Sequence, residues 1–172
     1  ELHGENPLKN VVAIIPARYE SVRLPGKMLL EIAGKPLILH TLGQAEKARS
    51  VSRVIVATDD ERIFRIVKEN DGEAVMTSAD HKSGSDRVAE VARDLPEGSI
   101  IVNVQGDEPA ISPETIDAAV KSLLEDDNAH IATTSEPISR LWDELLNGNV
   151  VKVVVGEQGY AQYFSRSSMP WP

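Results

Sequence analysis

One stretch constrains this chain more than any other: Val11-Val12-Ala13-Ile14-Ile15-Pro16-Ala17-Arg18-Tyr19-Glu20-Ser21-Val22-Arg23-Leu24-Pro25-Gly26-Lys27. Its first half is an unbroken apolar run rich in β-branched residues, the pattern of a strand buried on both faces in the middle of a parallel sheet. Pro16 is expected to end the ladder, because it has no N–H to donate. The loop behind it carries Arg18, Arg23 and Lys27 against the acid Glu20, with a turn at Pro25-Gly26. A cationic loop directly after a central strand lies at the carboxyl edge of the sheet, where open α/β folds bind ligands. Residue types and spacing leave two readings, a solvated basic turn or a grip on a polyphosphate.

The rest of the chain alternates. Residues 54–58 and 99–104 are further buried-type strands, and 73–77 a shorter one. Between them lie helical periodicities. Residues 36–48 place Ile38, Thr41, Leu42 and Ala45 on one face behind Pro36 as first helical residue. Residues 61–70 follow the capping acids Asp59-Asp60, and Gly72 is placed to end that helix. A third helix starts near Ser85 with Val88, Val91, Ala92 and Leu95 inward. Ser112-Pro113-Glu114 opens a fourth, striped by Ile116, Ala119, Val120, Leu123 and Leu124. A weaker strand at 130–135 and a short helix at 139–146 precede two β-rich runs, 150–155 and 160–164, joined by a Gly-containing turn. The expected class is α/β: a doubly wound, mainly parallel, Rossmann-like sheet with an antiparallel hairpin near the C-terminus. Residues 1–172 read as one nucleotide-binding domain, with 1–9 as a loose leader and the ending Met169-Pro170-Trp171-Pro172 as a C-terminal truncation.

A net charge of −9 makes the chain a poor non-specific binder of nucleic acid, whose affinity comes mainly from phosphate neutralisation. The same acidity makes a local cluster of Arg and Lys stand out. The absence of cysteine excludes disulfides, thiolate metal sites and a cysteine nucleophile. With no membrane-length apolar run and no signal-peptide pattern in residues 1–10, the expectation is a cytoplasmic protein with no membrane partner.

If the strands are parallel, one edge gathers residues 16–27, Thr58-Asp59, Thr77-Ser78 and Gln105-Gly106-Asp107. Such a set suits a nucleoside triphosphate with a divalent ion. Arg forks grip phosphate oxygens, Lys adds a mobile charge, and Mg²⁺ needs only one or two carboxylates besides phosphate and water. Asp107 is the ligand candidate, although an Asp after Gly also caps turns. Ser83-Gly84-Ser85-Asp86 reads as a helix N-terminus, which also suits an anion or a sugar hydroxyl. His81 reads as an exposed loop residue, and His3, His40 and His130 show no metal-ligand spacing. Neither G-x-x-x-x-G-K-[ST] nor G-x-G-x-x-G occurs in the first loop.

Ile14-Ile15-Pro16-Ala17-Arg18 with Arg23-Leu24-Pro25-Gly26-Lys27 resembles the signature of the sugar nucleotidyltransferases that use CTP. Further segments follow in order: Val56-Ala57-Thr58-Asp59, Met76-Thr77, Ala79-Asp80-His81, Ser83-Gly84, Asn103-Val104-Gln105-Gly106-Asp107-Glu108-Pro109, Val151-Lys152-Val153-Val154 and Tyr163-Phe164-Ser165-Arg166. Together they are similar to the 3-deoxy-manno-octulosonate (Kdo) cytidylyltransferase family over nearly the whole chain. The resemblance implies transfer of CMP from CTP to Kdo, giving CMP-Kdo and pyrophosphate and activating Kdo for lipopolysaccharide synthesis. It assigns the CTP phosphates to Arg18, Arg23 and Lys27. Cytosine and ribose fall to main-chain groups of Pro16 and Ala17 and to the loop with Thr77, Ser78, Gly84 and Ser85. Asp107 would bind Mg²⁺, and Gln105 and Arg166 would face the sugar acid. Many members carry Arg where this chain has Ser78. The family continues beyond the point matching Pro172, with a second metal-binding Asp, more sugar-acid residues and the segment that makes a homodimer. Alternatives are a cytidylyltransferase for sialic acid or an amino-Kdo, and a nucleotide-binding fragment without turnover. A metal-dependent glycosyltransferase would need Asp-x-Asp where this chain has Asp107-Glu108-Pro109.

Overall fold

The computed structural model describes residues 10–20, 24–139 and 141–168, apart from the Leu141 side chain. The chain forms two compact units, one up to Ala132 and one from Thr133 onward. The first contains β1 (Val11–Ala17), a short 3-10 turn (Lys27–Leu29), β2 (Glu31–Ile32), β3 (Lys35–Pro36) and α1 (Leu37–Ala45). It continues through β4 (Arg53–Thr58), α2 (Glu61–Lys68), β5 (Ala74–Met76), α3 (Gly84–Ala92), β6 (Ile100–Asn103) and α4 (Pro113–Leu124).

The main sheet has the order β5-β4-β1-β6, with every pair parallel. The chain winds outward from β1 through β4 to β5, then crosses back to place β6 on the other side. The winding therefore reverses between β1 and β6, the doubly wound arrangement expected. Alternation along β1 feeds both faces of the sheet. Ala13, Ile15 and Ala17 pack with Ile38 and Leu42 of α1, Ile63 and Val67 of α2 and Ile116 of α4. Val12 and Ile14 pack with Val88 and Val91 of α3. Helices on both faces explain why β1 is apolar at every position rather than at alternate ones.

Pro16 does not end the strand. It lies inside β1, opposite Ala57, and Ala17 pairs with Thr58 beyond it. Ile14 turns its carbonyl toward β6, where it accepts from the Val104 N–H at 3.1 Å, so two residues later Pro16 faces the same side. The β6 ladder has already stopped at Asn103, and the missing N–H therefore removes no sheet bond.

Other boundaries also shift. Pro36 precedes α1 as its N-cap, and α3 begins at Gly84 behind a Ser83 cap. β2 and β3 make a small hairpin not foreseen in the sequence, its turn formed by Ala33 and Gly34, both at positive φ. After α2, Asp71 rather than Gly72 takes the left-handed conformation. Gly72 serves close packing instead, since a Cβ there would lie 2.7 Å from both Leu42 and Val67 side chains. Residues 130–135 form no strand, and Ile131 is 87% exposed, so no buried face exists to stabilise one.

Asp60 caps α2 as expected, accepting from the main-chain N–H groups of Arg62 and Ile63. The Arg62 guanidinium, opposed by partial burial, holds the Asp60 carboxyl below its ordinary range. Asp60→Ala is expected to cost about 1 kcal/mol at pH 7. A lowered native pKa means the stabilisation is present above the unfolded carboxyl pKa, near 4, and fades as pH falls through the native value. Denaturant midpoints at pH 7 and pH 3 should show the gap between wild type and variant closing.

The second unit contains α5 (Leu141–Leu145), β7 (Lys152–Val155) and β8 (Ala161–Ser165). The Ser139 N–H and hydroxyl both donate to Glu144, at 3.0 Å each, fastening the start of α5. β7 and β8 form the antiparallel hairpin as a two-stranded sheet of their own, irregular between Val154 and Val155. Among the described residues no helix is long and apolar enough to cross a membrane.

Candidate active site

The reversal between β1 and β6 opens a crevice at the carboxyl edge of a sheet of this kind, because the two connections leave in opposite directions. Two sequence-predicted segments flank it. Arg18 is exposed immediately after β1. Lys27 opens the 3-10 turn and reaches across to form an ion pair with Asp107, from the loop after β6. Arg23 lies outside the described residues.

Each side of this pair is held in place. Gly26 adopts φ 71° and donates its N–H to the Tyr19 carbonyl at 2.8 Å, which brings Lys27 round toward the crevice. A Cβ at Gly26 would lie 2.9 Å from the Tyr19 ring. That ring is covered by the Arg62 guanidinium at 3.5 Å from its centroid, a cation–π contact that ties the basic loop to α2. On the other side, Gly106 lies so close to the end of β1 that a Cβ would be 2.9 Å from the Pro16 carbonyl oxygen. The buried Thr41 hydroxyl of α1 donates to the Gly106 carbonyl at 3.0 Å. Neither Tyr19, Arg62 nor Thr41 stood out in the sequence, since each reads as an ordinary loop or helix residue until its partner is known.

The Lys27 ammonium beside Asp107, opposed by partial burial, keeps its carboxyl below the usual carboxylate range. Asp107 is therefore an anion across the physiological range, as a metal or cation ligand must be. Its side chain is 46% exposed and that of Lys27 is 26% exposed, so both can turn to a ligand. Gln105 is exposed beside it, its amide donating to the Asn103 side chain at 3.3 Å. Among the described residues no three His, Asp or Glu converge on one point. A lone exposed carboxylate suits Mg²⁺, whose octahedron is commonly completed by phosphates and water.

A third segment, residues 77–85, starts at the tip of β5 and runs back to β1. There Gly84 sits against Pro16, with room for no more than a tight contact: a Cβ would lie 3.3 Å from the Pro16 ring. Its anchors come from α3. The Ser83 hydroxyl and main chain exchange hydrogen bonds with Asp86 in a capping box. Glu90 accepts from the Ser78 N–H at 3.1 Å and pairs with His81, and His81 lowers its carboxyl below the ordinary range. His81 is thus a loop fastener rather than a merely exposed residue. The Thr77 hydroxyl donates to the Thr58 carbonyl at 3.1 Å and accepts from Arg87. Ser78 and Ser85 are exposed on this loop, and Ala17 is buried at the end of β1.

In the second unit the Arg166 guanidinium donates to the Gly148 and Asn149 carbonyls, at 3.3 Å each. Lys152 is 3% exposed; its ammonium donates to the Asn147 carbonyl at 3.0 Å and to that of Arg166. Lys152 looked like one more residue of a β-rich run; its burial exists only once the 147–149 turn folds against it.

The comparisons with known proteins show the family. A family profile described as cytidylyltransferase matches residues 12–172. The chain belongs to the cytidylyltransferase family. A relative from Trichlorobacter lovleyi named 3-deoxy-manno-octulosonate cytidylyltransferase is 52% identical over 161 residues, covering 94% of this chain and 63% of the relative. One of the same name from Nitrosococcus oceani is 49% identical, covering 92% of this chain and 61% of its own length. This cytidylyltransferase chain therefore spans somewhat under two thirds of the curated relatives it matches. A solved CMP:2-keto-3-deoxy-manno-octonic acid synthetase, complexed with CTP, superposes with a TM-score of 0.85 at 41% identity, covering 95% of this chain and 67% of that one. A cytidylyltransferase from Leptospira borgpetersenii gives 0.59 at 27% identity, over 70% and 51% of the two chains.

Proposed function

We propose that the full-length protein transfers a cytidylyl group from CTP to the anomeric hydroxyl of Kdo and releases pyrophosphate. The observation that carries this reading is the Lys27–Asp107 pair, a partly exposed cation and anion facing each other where the winding of the sheet reverses. Names and identities of the relatives supply the substrates. In the pair each group occupies the place of the other's natural ligand. On nucleotide binding Lys27 turns to the phosphates, and Asp107 is freed for a divalent cation.

The hydroxyl oxygen attacks the α-phosphorus as the bond to the bridging oxygen breaks; the proton leaves to solvent and the electron pair departs with pyrophosphate. Arg18, Arg23 and Lys27 bind the triphosphate and neutralise charge gathering on the leaving group. Main-chain groups of Pro16 and Ala17 and the loop carrying Thr77, Ser78, Gly84 and Ser85 hold the base and ribose. Gln105 faces the sugar acid. Asp107 would hold Mg²⁺, which when bound supplies further positive charge against the α-phosphate. Positioning and electrostatics account for the rate, and no covalent intermediate on the protein is needed. The full-length protein is read as a cytoplasmic homodimer.

Incubating the full-length protein with CTP, Mg²⁺ and a panel of sugar acids, and measuring pyrophosphate, tests the reading. Release with Kdo alone supports it; release only with sialic acid or an amino-Kdo moves the substrate; CTP binding without release with any acceptor makes the protein a binding module. Asp107→Asn is expected to raise the Mg²⁺ concentration for half-maximal activity at least about tenfold, the loss of a charged ligand being worth more than 1.4 kcal/mol. An unchanged Mg²⁺ titration would rule out ligation by Asp107.

A further inference from the structure

Arg87 is not among the residues assigned above, and it has an unusual place. It sits in α3, four residues before Val91 on the apolar side of the helix, and it is only 3% exposed. Its two terminal nitrogens go to different strands. One donates to the Thr77 hydroxyl, just past β5, and the other to the Asp59 carboxylate just past β4, at 2.6 Å. Thr77 is itself tied to β4, through its N–H and hydroxyl to the Thr58 carbonyl at 2.8 and 3.1 Å. A buried guanidinium thus joins the carboxyl ends of two neighbouring strands to the first turns of α3.

These three points bracket residues 77–85. That loop leaves β5, passes the end of β4 and meets β1 at the Gly84–Pro16 contact. It therefore crosses the same edge on which Lys27 and Asp107 stand. The loop's outer residues 78–80 and 82–85 are exposed, whereas its root at Thr77 is buried. Arg87 acts on the root. With its donor committed to Thr58 and an acceptor site to Arg87, the Thr77 hydroxyl is organised to direct the main chain that follows it.

We propose that Arg87 is a positioning residue that holds the 77–85 loop in its nucleotide-competent form, and so sets affinity and base selection for CTP without touching the reacting atoms. This rests on the reading of the site as a CTP site. The planar fork matters, because one ammonium cannot reach a hydroxyl and a carboxylate on two strands in the same fixed directions. If losing the fork leaves the loop competent in about a tenth of molecules, the apparent affinity falls by that fraction.

The test uses the full-length protein with Arg87→Lys and, separately, Asp59→Asn, which keeps the shape of the acceptor. Thermal unfolding is followed alongside steady-state kinetics in CTP, UTP and Kdo. Arg87→Lys should raise KM for CTP about tenfold and shrink the preference for CTP over UTP, with kcat and KM for Kdo within about twofold of wild type. Asp59→Asn should move KM for CTP the same way by less, and the double variant should fall short of the product of the two effects, because both residues serve one network. A folded Arg87→Lys variant with unchanged KM for CTP overturns the proposal. So does a parallel change of kcat, both KM values and the unfolding midpoint, which would mean simple loss of structure. If wild-type protein neither binds nor uses CTP, the proposed function fails and this inference with it. A wild type that turns over normally beside an indifferent Arg87→Lys variant removes this inference alone.

Discussion

Lys27→Ala in the full-length protein should lower kcat about 10²-fold or more at saturating CTP, the cost of removing one donor aimed at charge that develops during reaction. The fold should scarcely notice. Both partners of the Lys27–Asp107 pair are partly exposed, so water can take over from either, and exposed pairs contribute at most about 1 kcal/mol. Turnover by pyrophosphate release, set beside the thermal midpoint, separates the two: a large fall in rate with an unmoved midpoint is expected. Lys27→Arg keeps the charge but changes the reach, and should recover part of the rate. Near-normal turnover by Lys27→Ala would remove this residue from the phosphate site, leaving it only a partner of Asp107.

Gly106→Ala should be nearly as severe for a different reason. The added carbon would lie 2.9 Å from the Pro16 carbonyl oxygen and 3.2 Å from two atoms of Met28. Met28 can rearrange, being flexible, but Pro16 is main chain inside the fully buried central strand and cannot. The strain must then move the 105–107 turn, and with it the carboxylate of Asp107. Overpacking of this kind costs about 1–3 kcal/mol of stability. A displacement approaching 1 Å in a positioned group can cost about 10²-fold in rate. Kinetics at saturating substrates together with a melting curve measure both; a variant with wild-type kcat would show that the position of Asp107 is not critical.

Much of the fold could be read from residue order because burial on two faces leaves a plain trace. Uninterrupted β-branched runs at β1 and β4, each followed by a helical stripe, allow little besides a parallel sheet covered on both sides. That pattern, with Gly, Asp and Lys at the strand ends, also places Lys27 and Asp107 on one edge. The misreadings have physical causes. Pro16 looked like a strand end because its missing N–H was counted without knowing which neighbour it faces, and β6 stops before that bond would form. Residues 130–135 have strand-like composition but gain no buried face.

The site divides along the same line. Sequence alone determined which charges stand after which strands, since that depends only on local chain order and on the two-residue period of a strand. It could not show that Lys27 pairs with Asp107, that Tyr19 lies under Arg62, or that Arg87 spans Asp59 and Thr77. These contacts join residues 10–80 positions apart, each pair on different elements or connections. Nothing in one segment's propensity records the partner supplied by another. The tertiary structure decided them because an arginine in an apolar stripe is tolerable only where a carboxylate and a hydroxyl arrive from neighbouring strands to meet it.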